Sequence, residues 1–235
     1  MNKRLRKAWR RLRYRLRRHP QRFLRRVSGV IHVGAHTGQE RDIYDRYGVN
    51  VLWIEAHPEV FARLAANVRD LPRQRALQGL VTDRNDREYR FHIAGNDGAS
   101  SSIFDLNLHR DIWPDIRFVD TITLRSRTLP ALLSEAGIDA SAYDALVLDT
   151  QGSELLILQG AMSLLASFRV IQTEAADFAA YCGGCLLTEI GEFLARHGFR
   201  EVSRHRFARH PSGGSYFDVI FERRIPRKPD PLPGR

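Results

Sequence analysis

Residues 30–38 (Val-Ile-His-Val-Gly-Ala-His-Thr-Gly) constrain this chain more than any other stretch. A short apolar run ends in two glycines flanking three small or polar residues, and a helical pattern follows. That order reads as a buried strand, a tight turn and a helix N-terminus. Such a turn lets backbone N–H groups approach a ligand that a Cβ would otherwise block. A second apolar run, residues 51–55, ends in Glu55, 21 positions after Gly34. At about this spacing a carboxylate meets a ribose diol in nucleotide-binding α/β folds. Together they predict a ribose-bearing cofactor at the carboxyl end of a parallel sheet. The alternative is a structural strand–turn–helix with no ligand.

The turn also bears on which cofactor. Dinucleotide sites favour G-x-G-x-x-G, because a pyrophosphate must lie close to the backbone. Here His36 and Gln39 stand at the second and third of those positions. A cofactor without phosphates, such as S-adenosylmethionine, suits them better.

The rest of the chain reads as alternating strands and helices. Ile43, Tyr44 and Tyr47 suggest a helix ending at Gly48, and Val60, Phe61, Leu64, Ala65 and Val68 a second. Residues 76–81 read as a strand, and Tyr89, Phe91 and Ile93 alternate as in an added β element. Residues 94–115 show no periodicity, and a loop that long in a compact domain is usually functional or disordered. A helix near 128–136, a strand over 145–149, a helix over 153–165 and a strand over 170–174 follow. Leu187, Ile190, Phe193 and Leu194 mark a last helix ending at Gly198, before an antiparallel pair at 199–202 and 216–221. Apolar strands alternating with helices imply a parallel sheet covered on both faces, with ligands beyond the strands' carboxyl ends.

Charge is placed unevenly. The chain has 37 basic and 27 acidic residues, a net of +10. Thirteen of the basic residues and no acid lie within residues 1–26, which leaves 24 basic against 27 acidic elsewhere, a net of −3. The basic excess is therefore a property of an N-terminal arm, residues 1–27, ahead of a domain at 28–223 and a proline-rich tail at 224–235. The arm reads as a helix over 3–18, with Leu5, Trp9, Leu12 and Leu16 as a narrow apolar stripe among arginines. It suits a solvated extension, an anionic membrane surface or, less well, nucleic acid. No apolar run approaches the ~18 residues of a membrane span, and no secretory h-region follows the basic start. Cys182 and Cys185 are too few for a disulfide framework or a four-ligand zinc site, so a reducing cytoplasm is the default.

Four blocks resemble the FkbM family of S-adenosylmethionine-dependent O-methyltransferases, over residues 31–221. Residues 33–40 are similar to the family's cofactor turn. Trp53, Ile54, Glu55, Ala56, His57 and Pro58 are similar to its ribose block. Asp149, Gly152 and Glu154 with Gly160 resemble its D-x-x-G-x-E…G block, and residues 96–103, with three serines, its substrate-side loop. His32 stands where many members have an acid. The resemblance implies a Rossmann-like class I methyltransferase fold, with a mostly parallel seven-stranded sheet and helices on both faces. It also implies methyl transfer to oxygen.

The expected cofactor contacts are Gly34, Ala35, His36, Thr37, Gly38, Glu55, Ala56, His57, Thr82 and Asp149. An alcohol is a poor nucleophile, so a general base is expected beside the methyl group. Asp149, ending its strand, is the first candidate, although it could instead cap a helix or hold the cofactor amine. Glu174 ends the neighbouring strand; two close carboxylates would raise one pKa, or could hold a divalent metal, which is not predicted. Glu154 reads equally well as a helix-start acid. His109 and residues 100–102 lie in the long loop, where an imidazole and hydroxyls could bind a polyhydroxy acceptor. The expected acceptor is a hydroxyl of a sugar in a glycan, glycolipid or lipo-oligosaccharide, with the arm resting on the inner face of the membrane. A polyketide-type acceptor, a nucleic-acid substrate and a peripheral membrane module with a vestigial site are the competing readings.

Overall fold

The computed structural model describes residues 20–224. The helix expected over 3–18 and the tail beyond 224 lie outside them. A 3-10 segment, Pro20–Arg26, leads into β1 (Gly29–Val33), α1 (Arg41–Tyr47), β2 (Asn50–Glu55) and α2 (Pro58–Val68). Then come β3 (Gln74–Gln78), β4 (Leu80–Val81), β5 (Glu88–Ala94), the single turn α3 (His109–Ile112) and β6 (Phe118–Arg127). The second half holds α4 (Leu129–Glu135), β7 (Ala145–Leu148), α5 (Glu154–Gly160), β8 (Val170–Ala176), α6 (Leu187–Arg196), β9 (Phe199–Arg209) and β10 (Ser215–Arg223).

Seven strands form one sheet in the order β3-β2-β1-β7-β8-β10-β9. Only β10 runs antiparallel to its neighbours. This is the class I methyltransferase architecture. The central strands are buried on both faces. Ile31 and Val33 join the cluster under α4, α5 and α6, while Val30 joins Ile43, Tyr44 and Leu64 on the other side. That is why β1 reads as a continuous apolar run rather than an alternating one. The chain passes from β1 towards β2 and from β7 towards β8, so connections diverge between β1 and β7 and open a crevice at their carboxyl ends.

Several boundaries differ from the sequence reading. Phe23 and Leu24 are buried in the core, so the fold begins within the basic arm rather than after residue 27. The strand expected over 76–81 breaks at Gly79, where the backbone leaves the main sheet; β4 instead pairs with β6 in a second sheet, β4-β6-β5. The strand β6 has no counterpart in that reading. Phe118, Ile122 and Leu124 share one face but are only half-buried, while Val119, Thr121, Thr123 and Arg125 opposite are exposed, so the alternation is weak. The helix expected over 153–165 stops at Gly160, where a Cβ would stand 2.2 Å from the carbonyl oxygen of Thr82, and a 3-10 segment follows. Among the described residues no helix is long and apolar enough to cross a membrane.

Candidate active site

The turn after β1 adopts left-handed backbone at Gly34 (φ 78°), His36 (φ 47°) and Gly38 (φ 67°). The sequence reading had its N–H groups approaching a ligand; those of Gly34, Ala35 and His36 are engaged within the fold instead. Gly34 and Ala35 both donate to the Ile54 carbonyl, at 3.0 and 3.1 Å, and His36 donates to Glu55 Oε2 at 2.8 Å. The turn is therefore a device for holding β2's terminal acid. The backbone N–H of His57 donates to Glu55 Oε1, also at 2.8 Å, so each carboxylate oxygen is fixed by one amide. Burial pushes the Glu55 carboxyl up, and the two amides oppose that shift. Each oxygen retains a second lone pair for a hydroxyl donor.

Glu55 closes one end of a narrow slot walled by Ile54, Leu80, Val81, Phe91 and Ile103. Gly34, His36, Ala99, Asp149 and Gln151 line both this slot and a wider cleft of about 720 Å³. At the junction Gln151 Nε2 donates to Asp149 Oδ1 at 2.7 Å and lies 3.5 Å from Glu174 Oε1. The Tyr181 hydroxyl donates to Gln151 Oε1 at 2.7 Å. Asp149 keeps part of its surface open to the cleft. Even so, burial pushes its carboxyl up to about 7; the Gln151 amide opposes the shift, and the charges of Glu154, Glu40 and Asp218 add to it.

His109 sits in the far wall with Trp113 and Phe207. Its ring packs on Trp113, Tyr181 and Tyr216, and Nδ1 lies 2.6 Å from the Tyr216 hydroxyl. Nε2 is buried, with no hydrogen-bond partner among the described residues. Burial lowers the imidazole pKa to about 4, so the ring is neutral at physiological pH. His32, stacked on Trp53 at 5.0 Å between ring centroids and 3.2 Å from the Tyr44 hydroxyl, is lowered to about 3 by burial. It lines the cleft as a neutral ring.

The structure brings Gly34, Ala35, His36, Glu55, Ala56, Asp149, Glu174 and His109 to these two cavities. Four expected contacts lie elsewhere. The Thr82 hydroxyl is engaged with both backbone groups of Arg84 in a turn beneath α5. His57 caps α2, accepting from the Glu59 N–H at 3.2 Å, and its role at the site is the backbone amide on Glu55. Thr37 accepts from Asn67 through its carbonyl, and Gly38 packs under Leu64. Glu154 braces the loop beneath Asp149, accepting from the N–H groups of Thr150 and Gly152 and from the Cys185 thiol. Burial pushes that thiol up, which keeps it protonated. The three serines knit the long loop together: Asn96 donates to Ser100, Ala94 to Ser101, and Ser102 donates to the Gln151 carbonyl. Among the described residues no group of three His, Cys, Asp or Glu could hold a metal ion.

The sequence reading did not single out Gln151, Trp113 or Phe207. Only the place of Gln151 between Asp149 and Gly152 pointed to it; Trp113 and Phe207 reach the cleft from segments 94 residues apart.

A family model for the methyltransferase FkbM domain matches residues 32–201. The chain belongs to the FkbM methyltransferase family. It is an S-adenosylmethionine-dependent methyltransferase. No curated protein matches it in sequence. Among solved structures it resembles magnesium protoporphyrin IX methyltransferase from Synechocystis PCC 6803 with bound cofactor, at 10% identity, covering 83% of this chain and 69% of that one, with a TM-score of 0.46. A provisionally assigned RNA methyltransferase from Pyrococcus horikoshii gives 14% identity, 85% and 75% coverage and a TM-score of 0.45. A Burkholderia thailandensis 1,6-didemethyltoxoflavin N1-methyltransferase gives 13%, 83%, 70% and 0.41.

The FkbM-family cofactor fits these residues. The slot is apolar where a purine face would lie, and its polar end is a buried, doubly anchored carboxylate suited to a ribose diol. A phosphate-free cofactor loses nothing by the turn's internal hydrogen bonds.

Proposed function

We propose that the protein methylates a hydroxyl oxygen of a sugar in a glycan, glycolipid or lipo-oligosaccharide. Asp149 carries this reading: a carboxylate raised to about 7 at the point where the cofactor slot meets the wide cleft. A base with a pKa near the working pH combines a large ionised fraction with adequate proton affinity. S-adenosylmethionine supplies the methyl group on a sulfonium. The chain supplies position and proton transfer. Asp149 takes the hydroxyl proton as the oxygen attacks, Gln151 orients that carboxylate, Glu174 meets a remaining polar group of the acceptor, and the His109 ring braces Trp113 in the far wall. The aromatic faces of Trp113 and Phe207 beside Glu174 suit the mixed apolar and hydroxylated faces of a sugar ring. A polyketide-type alcohol is the second reading, favoured by the same aromatic wall.

The arm's thirteen basic residues and interleaved leucines support a peripheral contact with an anionic membrane from the cytoplasmic side, where a lipid-linked sugar would be met. The test is incubation of the full chain with methyl-labelled cofactor and separated glycan, lipid and RNA fractions of its host. Label in the glycan or glycolipid fraction, lost in Asp149→Asn, supports the reading. Label confined to RNA, or unaffected by the substitution, removes it.

A further inference from the structure

The side-chain amide of Gln151 has two ends of nearly equal size, and its hydrogen-bond partners decide which end meets Asp149. The Nε2 end faces two carboxylates, 2.7 Å from Asp149 Oδ1 and 3.5 Å from Glu174 Oε1. The Oε1 end receives the Tyr181 hydroxyl at 2.7 Å. Burial first, and then Tyr216 and the nearby acids, push the Tyr181 phenol well above its usual value, so it stays protonated and donates.

Tyr181 is itself fixed. It lies between β8 and α6, 30 positions after Gln151, and is 3% exposed. Its backbone pairs with Leu106 in an isolated bridge, and the next N–H, that of Cys182, donates to the Asp105 carbonyl at 2.9 Å. Its ring packs on His109 at 5.1 Å between centroids, and His109 packs on Trp113 at 4.6 Å. Ser102 fixes Gln151 from the backbone side, its hydroxyl donating to the Gln151 carbonyl at 2.8 Å. Segments distant in sequence therefore hold both ends of the Tyr181–Gln151 bond.

The consequence falls on the proton of Asp149. A protonated carboxyl needs an acceptor for its O–H, and the Gln151 amide would supply one by turning Oε1 towards it. Tyr181 holds that oxygen away, so a protonated Asp149 meets an N–H donor, whereas an ionised one accepts from it. We propose that Tyr181 is a positioning residue for methyl transfer: its hydroxyl keeps the N–H end of Gln151 on Asp149 and so favours the carboxylate that takes the hydroxyl proton. The groups around Asp149 are this amide, Glu174 beyond it, the charges of Glu154, Glu40 and Asp218, and His32 and His36 on the β1 side of the cleft. The acids oppose ionisation, and the oriented amide offsets them. This rests on Asp149 as the base in the reading above and deepens it with the residue that sets its protonation.

The test is the titration of Asp149 in the full chain without acceptor, followed by carboxyl-carbon NMR, with Asp149→Asn assigning the resonance. Tyr181→Phe moves the midpoint, about 7 in the wild type, up by about half to one pH unit, as loss of one hydrogen bond requires. Gln151→Ala moves it likewise, and the double variant no further than Gln151→Ala alone. Methylation of host glycan and glycolipid fractions then shows the same shift of its acid limb in Tyr181→Phe. Its rate falls about 3- to 10-fold below the limb and recovers to within about twofold above it, with cofactor Kd unchanged. A tyrosine with a structural role alone would lower Tm in Tyr181→Phe and leave the midpoint in place. That result, or a double variant in which the two shifts add, overturns the proposal. If the midpoint moves but the acid limb does not, or no fraction is methylated, the hold of Tyr181 on the amide stands and the reading of Asp149 as base fails.

Discussion

Gln151 donates from Nε2 to Asp149 Oδ1 at 2.7 Å, and the same amide reaches towards Glu174. The donor favours the ionised carboxylate, against burial and the neighbouring acids. It thereby keeps a buried group titrating near neutrality. Gln151 holds this position from a left-handed backbone, φ 58°, which places its side chain over the carboxyl ends of β7 and β8. Removing the amide raises the Asp149 pKa further. In Gln151→Ala the acid limb of kcat/KM, expected near pH 7 in the wild type, moves to higher pH. The limb of kcat lies below that of kcat/KM in both proteins, because a bound sulfonium cation favours the carboxylate. A pH–rate profile with no shift of the limb contradicts this role.

Asp149→Asn separates chemistry from binding and stability. A positioned base contributes about 10²–10⁴ in rate, so kcat falls by that order while the cofactor Kd from calorimetry stays within a few-fold. The folded pKa is raised above the unfolded carboxylate value. Ionisation of Asp149 therefore lowers stability as pH rises from about 4 to about 7, and the full penalty is present above that window. A neutral amide escapes the penalty. The substitution should stabilise the free protein at pH 8 by roughly 1 kcal/mol or more, about 2–4 °C in Tm. The gain should shrink to a small remainder at pH 4, where the folded-state carboxyl is protonated. An equal Tm difference at both pH values would argue against a buried charge.

Glu55 is expected to bind the part of the cofactor that methyl transfer leaves unchanged. Hydrogen bonds to a charged acceptor are worth about 1.5–3 kcal/mol, so Glu55→Ala weakens the methyl donor and its demethylated product alike, by roughly 10- to 100-fold. Glu55→Gln is no milder. Its Nε2 would face the N–H of His36 or His57, donor against donor. Calorimetric titration of each variant with both ligands checks this; a loss confined to the methyl donor would place the acid elsewhere.

Gly34 is required for fold rather than for ligand. A Cβ on it would stand 1.9 Å from the Asp149 carbonyl oxygen, and φ is 78°. The β1 turn and the β7 end are in direct backbone contact, with no flexible side chain to yield. Gly34→Ala should cost more than about 3 kcal/mol, seen as a large fall in the denaturant midpoint or as insoluble protein. A variant as stable as the wild type would mean that this approach is looser than it stands.

Phe23 sits 2% exposed in the cluster formed with Ile43, Tyr44 and Val30. Phe23→Ala should therefore destabilise by about 3–5 kcal/mol, as deletion of a buried aromatic does. Arg22→Ala, one position earlier and exposed, should shift stability by less than about 0.5 kcal/mol. Equal effects of the two substitutions would return residues 20–26 to the arm.

The periodicities of the sequence determined the architecture. Residues 30–33, apart from His32, and 145–148 are apolar on both faces because helices cover both sides of the sheet, and that demand is written locally in the residues themselves. Gly34, Glu55 and Asp149 were legible for the same reason: each ends a recognisable strand in a parallel sheet. What tertiary structure alone decided is what those ends face. That Glu55 is clamped by the amides of His36 and His57, that Gln151 bridges towards Glu174, and that His109 meets Tyr216 across 107 positions depend on contacts between distant segments. The strand β6 and the break at Gly79 escaped for a related reason. The small second sheet leaves the apolar face of β6, Phe118, Ile122 and Leu124, only half-buried, so the local signal is weak and pairing with β5 sets its course. Thr82 shows the converse. Its place after a strand suggested a ligand contact, but the close approach of Gly160 and the carbonyl of Arg84 turned it inward, and no local pattern encodes that approach.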